Sequence, residues 1–385
     1  MIYADQNSSS PLSKKVSMYL AERVLNGPFA NPNSIHSLGR KMNFGLHKCR
    51  LSCAKALGAR PEQIIFNSGS SEGISHVFHS ILNYREDSKK IIITSGLEHA
   101  VVVEACSYYS KKGFITYHID TDETGLVNVS QLNELLKKYS DEVALVCLMA
   151  ANNETGVIQP YKEISNLCKN FDVKYLCDTT QYIGKSDFNF LDSGIDYAVV
   201  SGHKVGAIIG SGILICKDIE NLNSMIFGGS IQESGKRGGT QGYIGAETLA
   251  IALSEIDEKR VHFERVKSLR VNFENNIKTR FPEVVIIGDK SNRLYSTTLI
   301  SYPGIHGQAV QIELESNDIF VTTSSACSDN EPVTSRVLKA MKIGDKVGRG
   351  IIRISLCTNA TEIDYKTIES ALINAYSKLA KIHSY

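Results

Sequence analysis

The sequence predicts an α/β fold with a large, mainly parallel sheet of seven strands flanked by helices, joined to a smaller α+β domain. From about residue 62 to residue 216, short apolar runs alternate with helix-like stretches. The runs lack polar alternation, which is typical of strands buried on both faces of a parallel sheet. Beyond residue 246 this alternation ends, which indicates a change of architecture.

The predicted strands are the apolar, β-branched runs at residues 64–66, 90–95, 114–119, 143–149, 174–177, 197–201 and 212–216. Helices are predicted between them at residues 72–82, 100–112, 129–139 and 161–171. A long, charged helix is expected over about 246–280. Shorter strands and a closing helix over 367–382 follow it.

This change of pattern divides the chain, whose 385 residues suit two packed domains. We expect residues 12–258 to form the large domain. Residues 1–11 and 259–385 would form the small domain, which carries a loop around Cys327. No repeat or long flexible linker separates the two, so we expect them to be closely joined.

Composition bears on several functional classes. The net charge of +1 shows no basic excess, so direct nucleic-acid binding is not expected. No apolar run approaches the ~20 residues that span a membrane. The first residues show no signal-peptide pattern. We therefore expect a cytoplasmic protein without membrane association.

The nine cysteines are scattered and form no CxxC pair, so no metal site is predicted. Most lie in apolar runs and are expected to be small buried core residues. Cys327 differs, because its segment VTTSSACSDNEPVT is polar and rich in small residues, which is typical of an exposed loop.

Several candidate site residues follow predicted strands. Lys204, in SGHK, can be desolvated there and form a Schiff base; the alternative is an ordinary lysine in a solvated loop. Asp178 could pair with a protonated pyridine nitrogen or cap a helix. The segment FNSGSSEG opens a helix after a strand, where free N–H groups favour phosphate.

Taken together, these segments resemble the class V, NifS/IscS-like cysteine desulfurases, a branch of the fold-type I pyridoxal-phosphate enzymes. The resemblance runs nearly end to end and in order. The segments that carry it are ANPNSIHSLGR, FNSGSSEG, LEHA, ANNETGVIQP, CDTTQYIGK, SGHK, KRGGTQ, SSACS and IRISL.

The resemblance implies that pyridoxal 5′-phosphate binds Lys204, pairs with Asp178 and stacks on His99. Gln181 and Asn153 would contact the O3′ side of the cofactor or the substrate carboxylate. The residues that would hold the phosphate are Ser70, Ser71, Ser201, His203 and, across a homodimer interface, Thr240.

Arg353 would clamp the substrate carboxylate, which suits the planar guanidinium group. The resemblance further implies conversion of L-cysteine to L-alanine, with Lys204 as general base and His99 as its assistant. Cys327 would attack the substrate sulfur, carry it as a persulfide and pass it to an acceptor protein.

The loop that follows Cys327 is short, because Glu331 and Pro332 come within five residues of it. This shortening resembles desulfurases of DNA phosphorothioation systems of the Dnd or Ssp type, and it favours a dedicated acceptor. Three alternatives stay open: a selenocysteine lyase, another class V aminotransferase, and a non-catalytic scaffold that binds a partner.

Overall fold

The computed structural model describes residues 1–84, 88–323 and 333–382. Its strands are β1 (Ile2–Tyr3), β2 (Ile64–Asn67), β3 (Ile91–Ser95), β4 (Ile115–Ile119), β5 (Val143–Cys147), β6 (Tyr175–Cys177), β7 (Tyr197–Ser201), β8 (Gly212–Cys216), β9 (Val285–Ile286), β10 (Thr297–Ser301), β11 (Ile319–Phe320) and β12 (Ile351–Ser355).

The helices are α1 (Lys14–Asn26), α2 (Ser37–Leu57), α3 (Ser70–Asn83), α4 (Ala100–Ser110), α5 (Val129–Tyr139), α6 (Tyr161–Asn170), α7 (Phe190–Ser193), α8 (Gly202–Val205), α9 (Tyr243–Ser254), α10 (Ile256–Arg260), α11 (Phe263–Arg280), α12 (Gly307–Glu315), α13 (Arg336–Ala340), α14 (Asp345–Gly348) and α15 (Glu362–Ile382). Among the described helices, α15 included, none is long and apolar enough to cross a membrane.

A seven-stranded sheet in the order β2-β8-β7-β6-β5-β3-β4 forms the centre of the molecule. In the part of the sheet ordered β7-β6-β5-β3-β4, each strand pairs in parallel with its neighbours. Strand β8 runs antiparallel to both β7 and β2, so β2 points the same way as the parallel strands. The predicted α/β class and its mainly parallel seven-stranded sheet are therefore confirmed.

Both faces of this sheet are covered, which explains the uninterrupted apolar runs. Successive strand residues alternate between two cores. Ile91 and Ile93 belong to the core under α2, α5, α6 and α9, whereas Ile92 belongs to the core under α3 and α4. Because each strand residue packs against one layer or the other, polar alternation would place polar side chains in a core.

A third apolar core lies in the later part of the chain. The antiparallel sheet β12-β10-β9 and the parallel pair β1-β11 contribute to it, together with α11, α12 and α15. Ala4, from the N-terminal segment, is part of the same core. The division into two domains, with its boundary at residues 258 and 259, stays a prediction.

The long helix expected over 246–280 is wrong, because the chain forms three helices there. Helix α9 and Ile256 of α10 pack into a core of the large sheet. Helix α11 packs into the later core through Val266, Phe273 and Ile277. The helical direction breaks where the chain passes from one core to the other, a change that local propensity does not encode.

Candidate active site

The parallel strands and β2 end at the same edge of the large sheet, and the loops that follow them enclose a cavity of about 370 Å³. Polar side chains at the carboxyl ends of such strands converge in space, as expected for this architecture. The predicted site residues that line the cavity are Ser70, Ser71, His99, Asn153, Asp178, Gln181, Ser201, His203, Lys204 and Arg353.

One end of the cavity is formed by the N-terminus of α3. Gly69 precedes this helix with φ 149°, a backbone conformation that favours glycine. The first turn of a helix leaves N–H groups without intrahelical partners, and these groups attract anions. The Ser70 hydroxyl lies there and accepts a hydrogen bond from Thr180 Oγ1 at 2.7 Å. This end can hold a phosphate group.

Lys204 lies where β7 meets the short helix α8, and its amine faces the N-terminal segment. Its Nζ donates to the backbone carbonyls of Asn7 at 2.7 Å and Ser8 at 2.6 Å. Both acceptors line the cavity with the lysine. The motif SGHK therefore places its lysine in the cavity, not in a solvated surface loop. Neither Asn7 nor Ser8 could be recognised from the sequence, because these contacts use backbone oxygens.

Asp178 follows β6, is buried and lines the cavity. Its Oδ1 accepts a hydrogen bond from the backbone N–H of Thr180 at 3.0 Å, and Thr179 Oγ1 donates to Val199 O at 2.7 Å. The residues that follow form turns, so the alternative that Asp178 caps a helix is wrong. The carboxylate is instead part of the cavity lining.

His99 precedes α4, and its side chain caps that helix. Nδ1 accepts a hydrogen bond from the backbone N–H of Val101 at 3.3 Å, so a neutral ring carries its proton on Nε2. The His99 side chain is exposed, but partial desolvation by the surrounding protein lowers its pKa below the usual 6.5. The Asp178 carboxylate raises this pKa, whereas Lys204 and Arg336 lower it. The net result favours the neutral imidazole.

Arg353 on β12 is 2% exposed and carries more partners than its sequence context indicated. One terminal nitrogen forms an ion pair with Asp5 at 2.6 Å and donates to Ser8 Oγ. The other donates to Asn153 O at 3.0 Å. Nε has no hydrogen-bond partner among the described residues. The guanidinium is thus held rigidly in the cavity lining, and its Nε is buried.

Thr240 is exposed and does not line this cavity. It lies in a smaller neighbouring pocket of about 190 Å³, which shares Ser68 and Gly210 with the larger one. The segment around it is held by the ion pair of Arg237 with Glu72 on α3, at 2.9 Å. Its expected contact across a homodimer interface stays a prediction.

Cys327 lies outside the described residues, but the chain on either side of it is attached to the site. Before it, the Thr322 carbonyl accepts the backbone N–H of Arg353 at 2.7 Å. After it, Ser335 Oγ donates to Glu154 Oε2 at 2.7 Å. Arg336 donates to the Gly96 carbonyl at 2.8 Å, three residues before His99. Both ends of this segment are thereby fixed beside the cavity.

The other cysteines behave as the sequence predicted. All of them are free, and all but the half-buried Cys357 are buried. Burial raises the pKa of the Cys49, Cys106 and Cys216 thiols to about 12, and it also raises that of Cys357. These thiols are protonated at neutral pH and are poor nucleophiles.

A lysine, a carboxylate and an imidazole gathered with a helix N-terminus at the carboxyl edge of such a sheet define the site of a pyridoxal-phosphate enzyme. The chain belongs to the family described as Aminotransferase class-V, whose profile matches residues 2–367. This family and its cysteine desulfurases depend on pyridoxal phosphate, and the fold is that of the NifS-like, fold-type I members.

Similar proteins point the same way. "Cysteine desulfurase IscS" from Dictyoglomus turgidum is 32% identical over 389 residues, covering 100% of this chain and 96% of the relative. A solved "NIFS-LIKE PROTEIN" has a TM-score of 0.90 and 30% identity, covering 98% and 100% of the two chains. "SspA in complex with cysteine" has a TM-score of 0.81 and 26% identity, covering 94% and 100%.

The residues present fit the cofactor. The cavity is within the ~300–1,000 Å³ usual for ligand sites. The α3 N-terminus offers N–H groups and hydroxyls to a phosphate, while Lys204 offers an amine to an aldehyde and Asp178 a carboxylate to a ring nitrogen. All of these groups line the same cavity.

The electrostatics of His99 can be tested with two substitutions of opposite effect. Asp178→Asn removes a charge that raises the pKa of His99, so this pKa should fall further below 6.5. Lys204→Met removes a charge that lowers it, so the pKa should rise. NMR titration of the imidazoles in cofactor-free protein measures both, with His99→Gln to assign the signal. Shifts of the same sign in both variants would contradict this account.

Proposed function

We propose that this protein is a cysteine desulfurase that converts L-cysteine to L-alanine and carries the sulfur on Cys327. The observation that carries this proposal is the single cavity that brings Lys204, Asp178, His99 and Arg353 together. The ends of the Cys327 segment are fixed beside that cavity, which suits a nucleophile delivered from the loop.

Pyridoxal phosphate, when bound, supplies an aldehyde that condenses with amines and a ring that accepts electrons. Lys204 is the residue that would bind it, and Asp178 would hold its ring nitrogen protonated. Ser70, Ser71, Ser201 and His203 would hold its phosphate, with the N–H groups at the start of α3. His99 would stack on the ring through its neutral imidazole.

Substrate binding falls to Arg353 with Asn153. The guanidinium lines the cavity, where it would bind the cysteine carboxylate, and it is fixed there through Asp5, Ser8 and the Asn153 carbonyl. Because the arginine is already ordered, binding loses little side-chain entropy. Gln181 and Asn153 would direct polar groups to the same carboxylate or to the O3′ side of the cofactor.

The proton steps use Lys204 and His99. With substrate bound, Nζ of Lys204 would accept the substrate α-proton; in this structure that atom donates to the Asn7 and Ser8 carbonyls. His99 carries a proton on Nε2 and assists as acid or base. Its lowered pKa keeps the second ring nitrogen unprotonated near neutral pH.

Sulfur transfer uses the Cys327 thiolate. It attacks the substrate sulfur, so that an S–S bond forms as the substrate Cβ–S bond breaks, and the electron pair stays on the carbon. Protonation of that carbon gives alanine and leaves a persulfide on the protein. The other thiols have raised pKa values through burial, so they do not substitute for Cys327.

Product analysis tests this proposal. Wild-type protein given L-cysteine and a reductant should release alanine and sulfide in equal amounts. Cys327→Ser should lower this release at least about 100-fold, since a hydroxyl does not take over the thiolate's attack, while the cofactor absorbance persists. Cys357→Ser is the matched control and should keep the activity. Undiminished release by Cys327→Ser would refute the assignment. Turnover of selenocysteine alone would support a selenocysteine lyase instead.

A homodimer is the second part of the proposal. Large apolar side chains are exposed on α1, on α2, on the segment that joins them, and near the cavity, where Ile209 is 78% exposed. Such exposed patches mark interfaces. The side chains concerned are Met18, Val24, Leu25, Phe29, Ile35, Leu38, Phe44, Ile209, Phe227 and Ile231. Thr240 lies close to them, because Asn33 Nδ2 contacts the adjacent Gln241 at 3.3 Å.

Mixed dimers test whether Thr240 acts across the interface. A dimer of one Lys204→Ala chain and one Thr240→Ala chain, carrying different tags, has one intact site if Thr240 serves the partner. It should then show about half the wild-type activity and retain cofactor at one site. If Thr240 serves its own chain, no site is intact and activity stays at the level of the two parent variants. That result, or a monomer in solution, would refute the proposal.

The sulfur acceptor is the third part. We assign this chain a dedicated acceptor protein in DNA phosphorothioation. Support comes from Pro332, which follows only five positions after Cys327, and from the likeness to the structure titled SspA in complex with cysteine. Because Pro332 follows Cys327 so closely in the sequence, we expect an acceptor to dock close to the cavity.

L-Cysteine labelled with radioactive sulfur tests the pathway in cells that make either the wild type or Cys327→Ser. Label should appear in dinucleotides from digested DNA with the wild type and disappear with the variant. Label that appears only in tRNA, or only in iron–sulfur proteins, in a Cys327-dependent manner would refute this assignment and identify the other acceptor.

A further inference from the structure

Lys185 is a buried lysine with two amide oxygens as partners. It follows β6 in the segment that also carries Asp178 and Gln181, and it is 8% exposed. Its Nζ donates to Asn7 Oδ1 at 2.8 Å and to Gln181 Oε1 at 2.5 Å. Both amides line the cavity, whereas Lys185 itself lies behind them. The function described above uses Gln181 but leaves this lysine without a role.

The surroundings of Lys185 disfavour an ammonium ion. No carboxylate lies within 4.0 Å of Nζ in the parts of the chain that the structure describes. Burial lowers the pKa of Lys185 well below 10.5, and the neighbouring charges of Lys204 and Arg353 lower it further. An uncharged amine has two N–H donors, and the two amide oxygens match them.

These two hydrogen bonds fix which way each amide points. With Oε1 bound to Lys185, the Gln181 Nε2 group donates to the Asn7 carbonyl at 2.9 Å. The remaining N–H is then the polar group that Gln181 offers to the cavity. Asn7 is fixed in the same way, because its Nδ2 contacts Thr297 Oγ1 at 3.1 Å and Asn153 O at 3.2 Å.

We propose that Lys185 is a positioning residue whose hydrogen bonds to two amide oxygens fix Gln181 so that this side chain presents an N–H donor to an anionic oxygen bound in the cavity. The proposal rests on the proposed function, in which the ring oxygen of the bound cofactor is that oxygen. Without Lys185, the amide of Gln181 can turn its oxygen toward the ligand, which replaces an attraction by a repulsion.

A purely structural role makes a different prediction. Methionine has a similar length and no donor, so Lys185→Met leaves the Asn7 and Gln181 side-chain oxygens without this hydrogen bond and should fold less stably than the wild type. If Lys185 only stabilised the fold, the substitution would lower stability and leave a ligand in the cavity unaffected. If Lys185 positions Gln181, the effect should extend to the ligand that Gln181 contacts.

The test is a pH titration of the visible absorbance of the bound cofactor in the purified holoenzyme. Lys185→Met should raise the apparent pKa of this transition by about one unit, a tenfold loss of stabilisation of the anionic oxygen. Lys185→Gln keeps an N–H₂ donor and should restore most of the wild-type value. Lys169→Met removes an exposed lysine from the last turn of α6 and should leave the transition unchanged.

A second comparison separates action through Gln181 from a general effect of charge. In Gln181→Leu the transition should shift by a similar amount, and adding Lys185→Met should shift it no further. Additive shifts, or an unchanged transition in Lys185→Met, would overturn the proposal. The readout needs only bound cofactor, so a protein that fails to desulfurate cysteine yet shows these shifts would refute the proposed function and not this inference.

Discussion

The N-terminal segment, residues 5–8, connects the two halves of the site. The Asn7 carbonyl accepts Lys204 from the large sheet, and Asp5 and Ser8 bind Arg353 from β12. Asn7 N also donates to Ser355 Oγ at 3.0 Å. Lys204 and Arg353, 149 positions apart in the numbering, therefore share one short piece of backbone. Hydrogen bonds from both side chains to this segment set their separation.

Much of the fold follows from local sequence. The strands of the large sheet are visible because both of their faces are buried, so each is an apolar run of the right length. The site residues at their carboxyl ends follow from the same argument, as Asp178 and Lys204 illustrate. The local pattern predicts that these residues lie at the ends of strands, whereas their chemical roles are implied only by the family resemblance.

Three features required the folded structure. The break between α9 and α11 arises because consecutive turns belong to different cores, while their helical propensity is continuous. The pairing of Asp5 with Arg353 joins residues 348 positions apart. Lys185 reads as an ordinary charged residue in sequence, and only its burial behind Gln181 gives it a different chemistry.

The buried cysteines have a consequence for a protein that handles mobile sulfur. A persulfide exchanges readily with any accessible thiolate, and each exchange within the chain would divert sulfur from its acceptor. Seven thiols are buried, with their pKa values raised, inside the layers that cover the sheet. These seven buried thiols therefore do not exchange with a persulfide, and they do not divert its sulfur from the acceptor. The packing that stabilises the large sheet thus also prevents side reactions of the persulfide with these thiols.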